Sequence, residues 1–111
     1  MEIINTTVQD AKTVYKMTKG AGVTKMKTRV GECLPISQYI KYIDRNAVGE
    51  EKEVLSIAFE DGTVSATASP TFIQDFDDIL AIMGGDARGE TIRICEKESK
   101  AERKFICCEW V

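Results

Sequence analysis

A chain of 111 residues, 43% hydrophobic and 30% charged, has room for one domain with one core and the composition of an ordinary folded protein. No uncharged run is long enough to span a membrane, and Met1-Glu2-Ile3-Ile4-Asn5 lacks the basic and apolar regions of a secretory signal, so a cytoplasmic location without a membrane partner is expected. The formal net charge of −3 hides an asymmetry: residues 12–45 carry eight bases against two acids and residues 46–90 ten acids against two bases, so local sign decides whether a polyanion can bind.

Val8, Ala11, Val14, Tyr15 and Thr18 recur at helical spacing before Gly20 and Gly22, which predicts a short amphipathic helix between Thr7 and Lys19. From Cys33 the pattern alternates, with Leu34, Ile36, Ile40 and Tyr42 on one face and Ser37, Tyr39, Lys41 and Ile43 on the other: a long half-buried strand. A polar link over residues 44–50 leads to a second strand near residues 52–59. Asp61-Gly62 then suits the centre of a two-residue type I′ turn, where both positions take positive φ. That turn sets Phe59 opposite Val64, Ile57 opposite Ala66 and Leu55 opposite Ala68, and leaves Ser56, Ala58, Ser65 and Thr67 as a small, uncharged opposite face.

Ser69-Pro70 supplies an N-cap and first-turn proline for a second helix with the apolar stripe Phe72, Ile73, Phe76, Ile79, Leu80 and Met83, ended by Gly84-Gly85. Asp75, Asp77 and Asp78 read as its solvated face. Strands Thr91–Glu96 and Lys104–Trp110 close the chain. Pairing Glu96 with Lys104 puts Ile92, Ile94, Ile106, Cys108 and Trp110 on the core side, and Arg93, Cys95, Phe105 and Cys107 outside. Three strands, a helix and a hairpin form the element order of an OB-like barrel. The expected class is therefore α+β, mainly β: a five-stranded OB-like barrel with an extra N-terminal helix, residues 1–111 forming one domain.

Catalysis has little to work with. The chain has no histidine, the easiest general base near neutral pH, and no phosphate loop or nucleophile elbow. Its four cysteines, Cys33, Cys95, Cys107 and Cys108, have no C-x-x-C spacing, so free thiols, no metal and no cofactor are expected. Single strands of nucleic acid need cations along the backbone and flat rings beneath the bases. Lys27 and Arg29 (with Lys25) precede the first strand. Tyr39 with Lys41 and Arg93 with Phe105 share outer faces, and Lys97, Lys100, Arg103 and Lys104 line the last loop. Ser56 and Thr67 on the small-residue face would let a strand lie close. Each feature also has a structural reading: Tyr39 and Phe105 as core packing, Lys97–Arg103 as a solvated tip, the small residues as the seat of the N-terminal helix.

Taken in order, Val30-Gly31-Glu32, Gly49-Glu50, Val54-Leu55-Ser56-Ile57, Asp61–Thr67, Ser69-Pro70-Thr71-Phe72 and Ser99–Phe105 resemble the single-stranded-DNA-binding proteins of phages and prophages of Gram-positive bacteria, over most of the chain. The resemblance implies an OB-like domain that coats single-stranded DNA, or RNA, without sequence preference during phage replication or recombination. A net charge of −3 is modest for that task and implies weak, salt-sensitive affinity or a homo-oligomer. The alternative from another class is a small phage adaptor that captures a host protein.

Overall fold

The computed structural model describes residues 1–111. In chain order the elements are β1 (Glu2–Thr6), α1 (Ala11–Thr18), β2 (Val23–Lys25), a 3-10 turn (Met26–Arg29), β3 (Cys33–Arg45), β4 (Glu51–Phe59), β5 (Val64–Thr67), α2 (Pro70–Met83), β6 (Thr91–Glu98) and β7 (Lys104–Trp110). The chain is mainly β, with one curled half-barrel sheet and two helices. Strand order is β2-β5-β4-β3-β6-β7, and β1 lies off this path against β3. All neighbours are antiparallel except β2 and β5. Two short strands, β1 and β2, thus join the five expected from the sequence.

The long alternating run becomes β3, and everything else is arranged around it. Its first residues, Cys33–Pro35, pair with β6, while its later part pairs with β4 on one edge and β1 on the other. At Ser37 the register with β4 shifts by one residue, since Ile36 opposes Phe59 and Gln38 opposes Ala58. A bulge of this kind turns the following side chains to the other face. Leu34 and Ile36 before it and Tyr39 after it all enter the main core, whereas Ile40 and Tyr42 face a second cluster with Val8, Met17 and Val54 at α1. Strict alternation, which set Tyr39 and Lys41 on an outer face, is corrected by that bulge.

α2 forms as its sequence signals require. Ser69 Oγ accepts the Phe72 N–H at 3.4 Å, Gly84 takes the left-handed conformation at φ 86°, and Phe72, Ile73, Phe76, Ile79 and Leu80 are buried against β3, β4, β6 and β7. The helix also covers the free edge of β7. Ser69 Oγ donates to the Ile106 carbonyl at 3.4 Å, and Asp75 accepts the Cys108 N–H at 3.1 Å. Asp75 therefore blunts a sheet edge rather than facing solvent alone.

Both hairpins depart from the expected registers. After β4 the loop has three residues: Phe59 N–H donates to Thr63 C=O and Gly62 N–H to Phe59 C=O. Only Gly62 has positive φ, at 88°, so the turn is of the three-residue kind in which glycine alone is left-handed. Asp61 stays out of that region because its carboxylate accepts from the Thr63 N–H and hydroxyl. Ala58 therefore opposes Val64, and Ile57 opposes Ser65, one residue from the expected pairing. The slip turns Val64 and Ala66 toward the α1 cluster. The last hairpin pairs Glu98 with Lys104, around a loop whose left-handed residue is Glu102 at φ 60°. This register differs by two residues from the expected one, so the alternation is kept and Ile92, Ile94, Ile106 and Cys108 are core, but Cys107, expected outside, is also buried, at 1% exposure. Trp110 is not. It lies on the last rung of the edge strand, 45% exposed, with its indole N–H donated to Glu90 at 3.1 Å.

Candidate nucleic-acid interface

The sheet is not a closed barrel, because β5 and β7 have no ladder between them. Where these strands approach, Ser69 bridges them through its bond to Ile106, and Thr67 Oγ1 accepts the Ser69 N–H at 3.0 Å. An open groove of about 620 Å³ runs along this seam. β2 and the 3-10 turn contribute Lys25, Met26 and Lys27; β4 contributes Lys52 and Val54; β5 and the following link contribute Ala66 to Ser69; β6 and β7 contribute Glu96, Lys104, Phe105 and Ile106.

The local sequence explains the lysines. Met26 is fully buried and anchors the 3-10 turn in the core, which leaves its neighbours Lys25 and Lys27 exposed on the groove. The Thr28 hydroxyl donates to the Lys25 carbonyl at 2.7 Å, and Gly31 N–H donates to Ile94 C=O at 2.7 Å, tying the turn to β6. Lys25, Lys27 and Lys52 enter no ion pair, and Lys104 meets Glu96 only at 3.9 Å. Four cations against one carboxylate make the groove basic in a protein whose total charge is negative. Phe105 is half-buried at its wall, and Lys97 stands directly across from Phe105 in the ladder.

Of the residues singled out in the sequence, Lys27, Thr67, Lys104 and Phe105 meet in this groove. Arg93, Lys97, Lys100 and Arg103 are exposed along the β6–β7 hairpin, outside the lining. Four others are committed elsewhere, and their assignment to an open face is corrected. Tyr39 is 1% exposed, its hydroxyl donates to Gly85 C=O at 3.0 Å, and its ring meets Phe76 edge-on at 5.2 Å. Burial pushes that phenol above its ordinary pKa. Lys41 is held by Asp77 at 2.9 Å and Glu53 at 3.7 Å. Ser56 is fully buried beneath α1 and donates to the Met17 carbonyl at 2.6 Å. Arg29 lies 5.3 Å over the Phe59 ring and is gripped by Glu32, Asp61 and Thr63.

Lys52 is the groove residue that the sequence reading missed. It sits in the most acidic stretch of the chain, and its signal was positional: two residues before buried Val54, it shares that side of β4. All four thiols are free: Cys33 is exposed, Cys95 half-buried, and Cys107 and Cys108 buried. Burial, then the Cys107 thiol beside it, pushes Cys95 up to about 12, and burial raises Cys108 as well. No cluster of three or more carboxylates and thiols has metal-binding geometry, and no helix is long and apolar enough to cross a membrane. Neither the known protein-family models nor curated proteins nor solved structures include a match to this chain.

Proposed function

We propose that this chain binds single-stranded nucleic acid, DNA in the first instance, along the β5–β7 seam, as a non-catalytic OB-like protein serving phage or prophage DNA replication or recombination in the cytoplasm. The observation that carries the reading is the set of three unpaired lysines, Lys25, Lys27 and Lys52, gathered with half-buried Phe105 around one open groove. A groove lined by cations beside an aromatic wall is what a sequence-tolerant single-strand site uses. The connectivity supports it too. Leaving out β1 and β2, the strand order β5-β4-β3-β6-β7 with a helix after the third strand is that of an OB barrel opened between its third and last strands. In such barrels the ligand crosses the second and third strands between the first and last loops. The groove touches β4, β5 and the base of the β6–β7 loop.

The test is the affinity for a fluorescent thymidine oligonucleotide as a function of salt. Four lysine–phosphate contacts predict a log–log slope of about −2.8, hence a roughly 50-fold loss of affinity between about 50 and 200 mM salt. Alanine at Lys25, Lys27 or Lys52 reduces the slope by about 0.7 each. Salt-independent binding, or none, overturns the reading. The adaptor alternative then takes its place. It is favoured by the outer edge of β1, where Ile3 and Ile4 are exposed on a strand paired on one side only.

A further inference from the structure

A second cavity, of about 730 Å³, opens on the other side of β2 and the 3-10 turn, between α1 and the β4–β5 loop. Its polar walls are already satisfied. Thr24 Oγ1 donates to Val64 C=O at 3.1 Å, Thr28 Oγ1 to Lys25 C=O at 2.7 Å, and Thr63 Oγ1 to Asp61 at 2.6 Å. Arg29, which also lines it, is spent on Glu32 and Asp61. Two groups remain free: the ring of Tyr15, 62% exposed on α1, and the ammonium of Lys16, which enters no ion pair. No carboxylate lines the cavity, and Gly20, Gly22 and Gly62 add no side chain to its wall. One open aromatic face, one free cation and a smooth wall accommodate one base and one phosphate.

The two cavities adjoin. Lys25, Met26 and Lys27 line the first and their neighbours Thr24 and Thr28 the second, so only the width of β2, a terminal strand with an unpaired outer edge, separates them. We infer that a single strand bound in the β5–β7 groove continues past Lys25 and Lys27, over the edge of β2, and stacks a base on Tyr15 with its phosphate at Lys16. This rests on the groove being the nucleic-acid site, and extends its footprint to a second aromatic anchor on α1.

The experiment measures affinity of the full chain for thymidine oligonucleotides of increasing length, from about 4 to about 16 nucleotides, the range covered by single OB domains. The probes are wild type, Tyr15→Ala, Tyr15→Phe and Gly22→Leu. Gly22 has no positive φ, and a Cβ there meets nothing within 4 Å, so a leucine side chain can project from this wall of the cavity without straining the backbone. Wild type gains affinity once the oligonucleotide is long enough to cross β2. Tyr15→Ala and Gly22→Leu bind the shortest probe like wild type but lose at least about fivefold on the longest, the lower end of the stacking range, while Tyr15→Phe keeps the gain. Equal affinities for wild type, Tyr15→Ala and Gly22→Leu at every length overturn the second site and leave the groove intact. Absence of wild-type binding at every length overturns the groove itself and this extension with it.

Discussion

Replacing Tyr39 tests the turn of β3 more directly than any other change. Its ring is 1% exposed, packs edge-on against Phe76 at 5.2 Å and donates its hydroxyl to Gly85 C=O at the end of α2. Tyr39→Phe removes only that hydrogen bond and leaves a carbonyl with one partner fewer, which costs about 1 kcal/mol. Tyr39→Ala also empties the ring's volume between β3 and α2, and truncation of a large buried aromatic costs about 3–5 kcal/mol, including the edge-to-face term. In urea unfolding followed by far-UV circular dichroism, the two variants separate by about 2–4 kcal/mol at constant m-value. Tyr39→Phe binds oligonucleotide like wild type. The refuting result is a Tyr39→Ala protein as stable as wild type but unable to bind, which would return the ring to an outer, base-stacking face.

Phe105→Ala weakens oligonucleotide binding by about 1–3 kcal/mol with little change in melting temperature, whereas Trp110→Ala, already half in solvent and held by one bond to Glu90, costs only about 1 kcal/mol of stability and spares binding. Glu102→Gly raises stability by about 1 kcal/mol in the same unfolding assay, because Glu102 occupies a left-handed conformation that glycine adopts freely. Asp75→Ala strips the Cys108 N–H of its carboxylate acceptor and lowers stability by about 1.5–3 kcal/mol; an unchanged midpoint would mean the β7 edge is covered without it. Asp61 is held below the usual 3.8 by hydrogen bonds from Thr63 and then by Arg29. The unfolded chain therefore binds a proton first, and this contribution, complete above that value, is lost as pH falls through the folded pKa. Asp61→Asn should flatten acid destabilisation below about pH 4, and an identical pH profile for both proteins would remove Asp61 from that balance.

Signals that act within a few residues were legible in the sequence. Ser69, Pro70 and Gly84-Gly85 bound α2 through capping and backbone preference, and the spacing of Phe72, Ile73, Phe76, Ile79 and Leu80 chose its buried side before any partner was known. The faces of the last hairpin survived a two-residue shift for a similar reason, since a period of two is blind to an even slip and Ile92, Ile94 and Ile106 stay inside. Odd displacements depend on packing between elements. The bulge at Ser37 lets β3 serve the α2 core with Tyr39 and the α1 cluster with Ile40 and Tyr42. The one-residue slip after Phe59 lets Val64 and Ala66 meet α1, while the Asp61 carboxylate holds the turn in its three-residue form. The candidate site divides along the same line. That Lys27, Lys104 and Phe105 carry the right chemistry is a property of residue type, read directly from the chain. That they share one groove with Lys25 and Lys52, and that Arg29 and Lys41 do not, was decided by the fold. Arg29 and Lys41 are drawn to Asp61 and Asp77, carboxylates more than thirty residues away in sequence, because a cation half-removed from water binds the opposite charge the fold brings within about 3 Å.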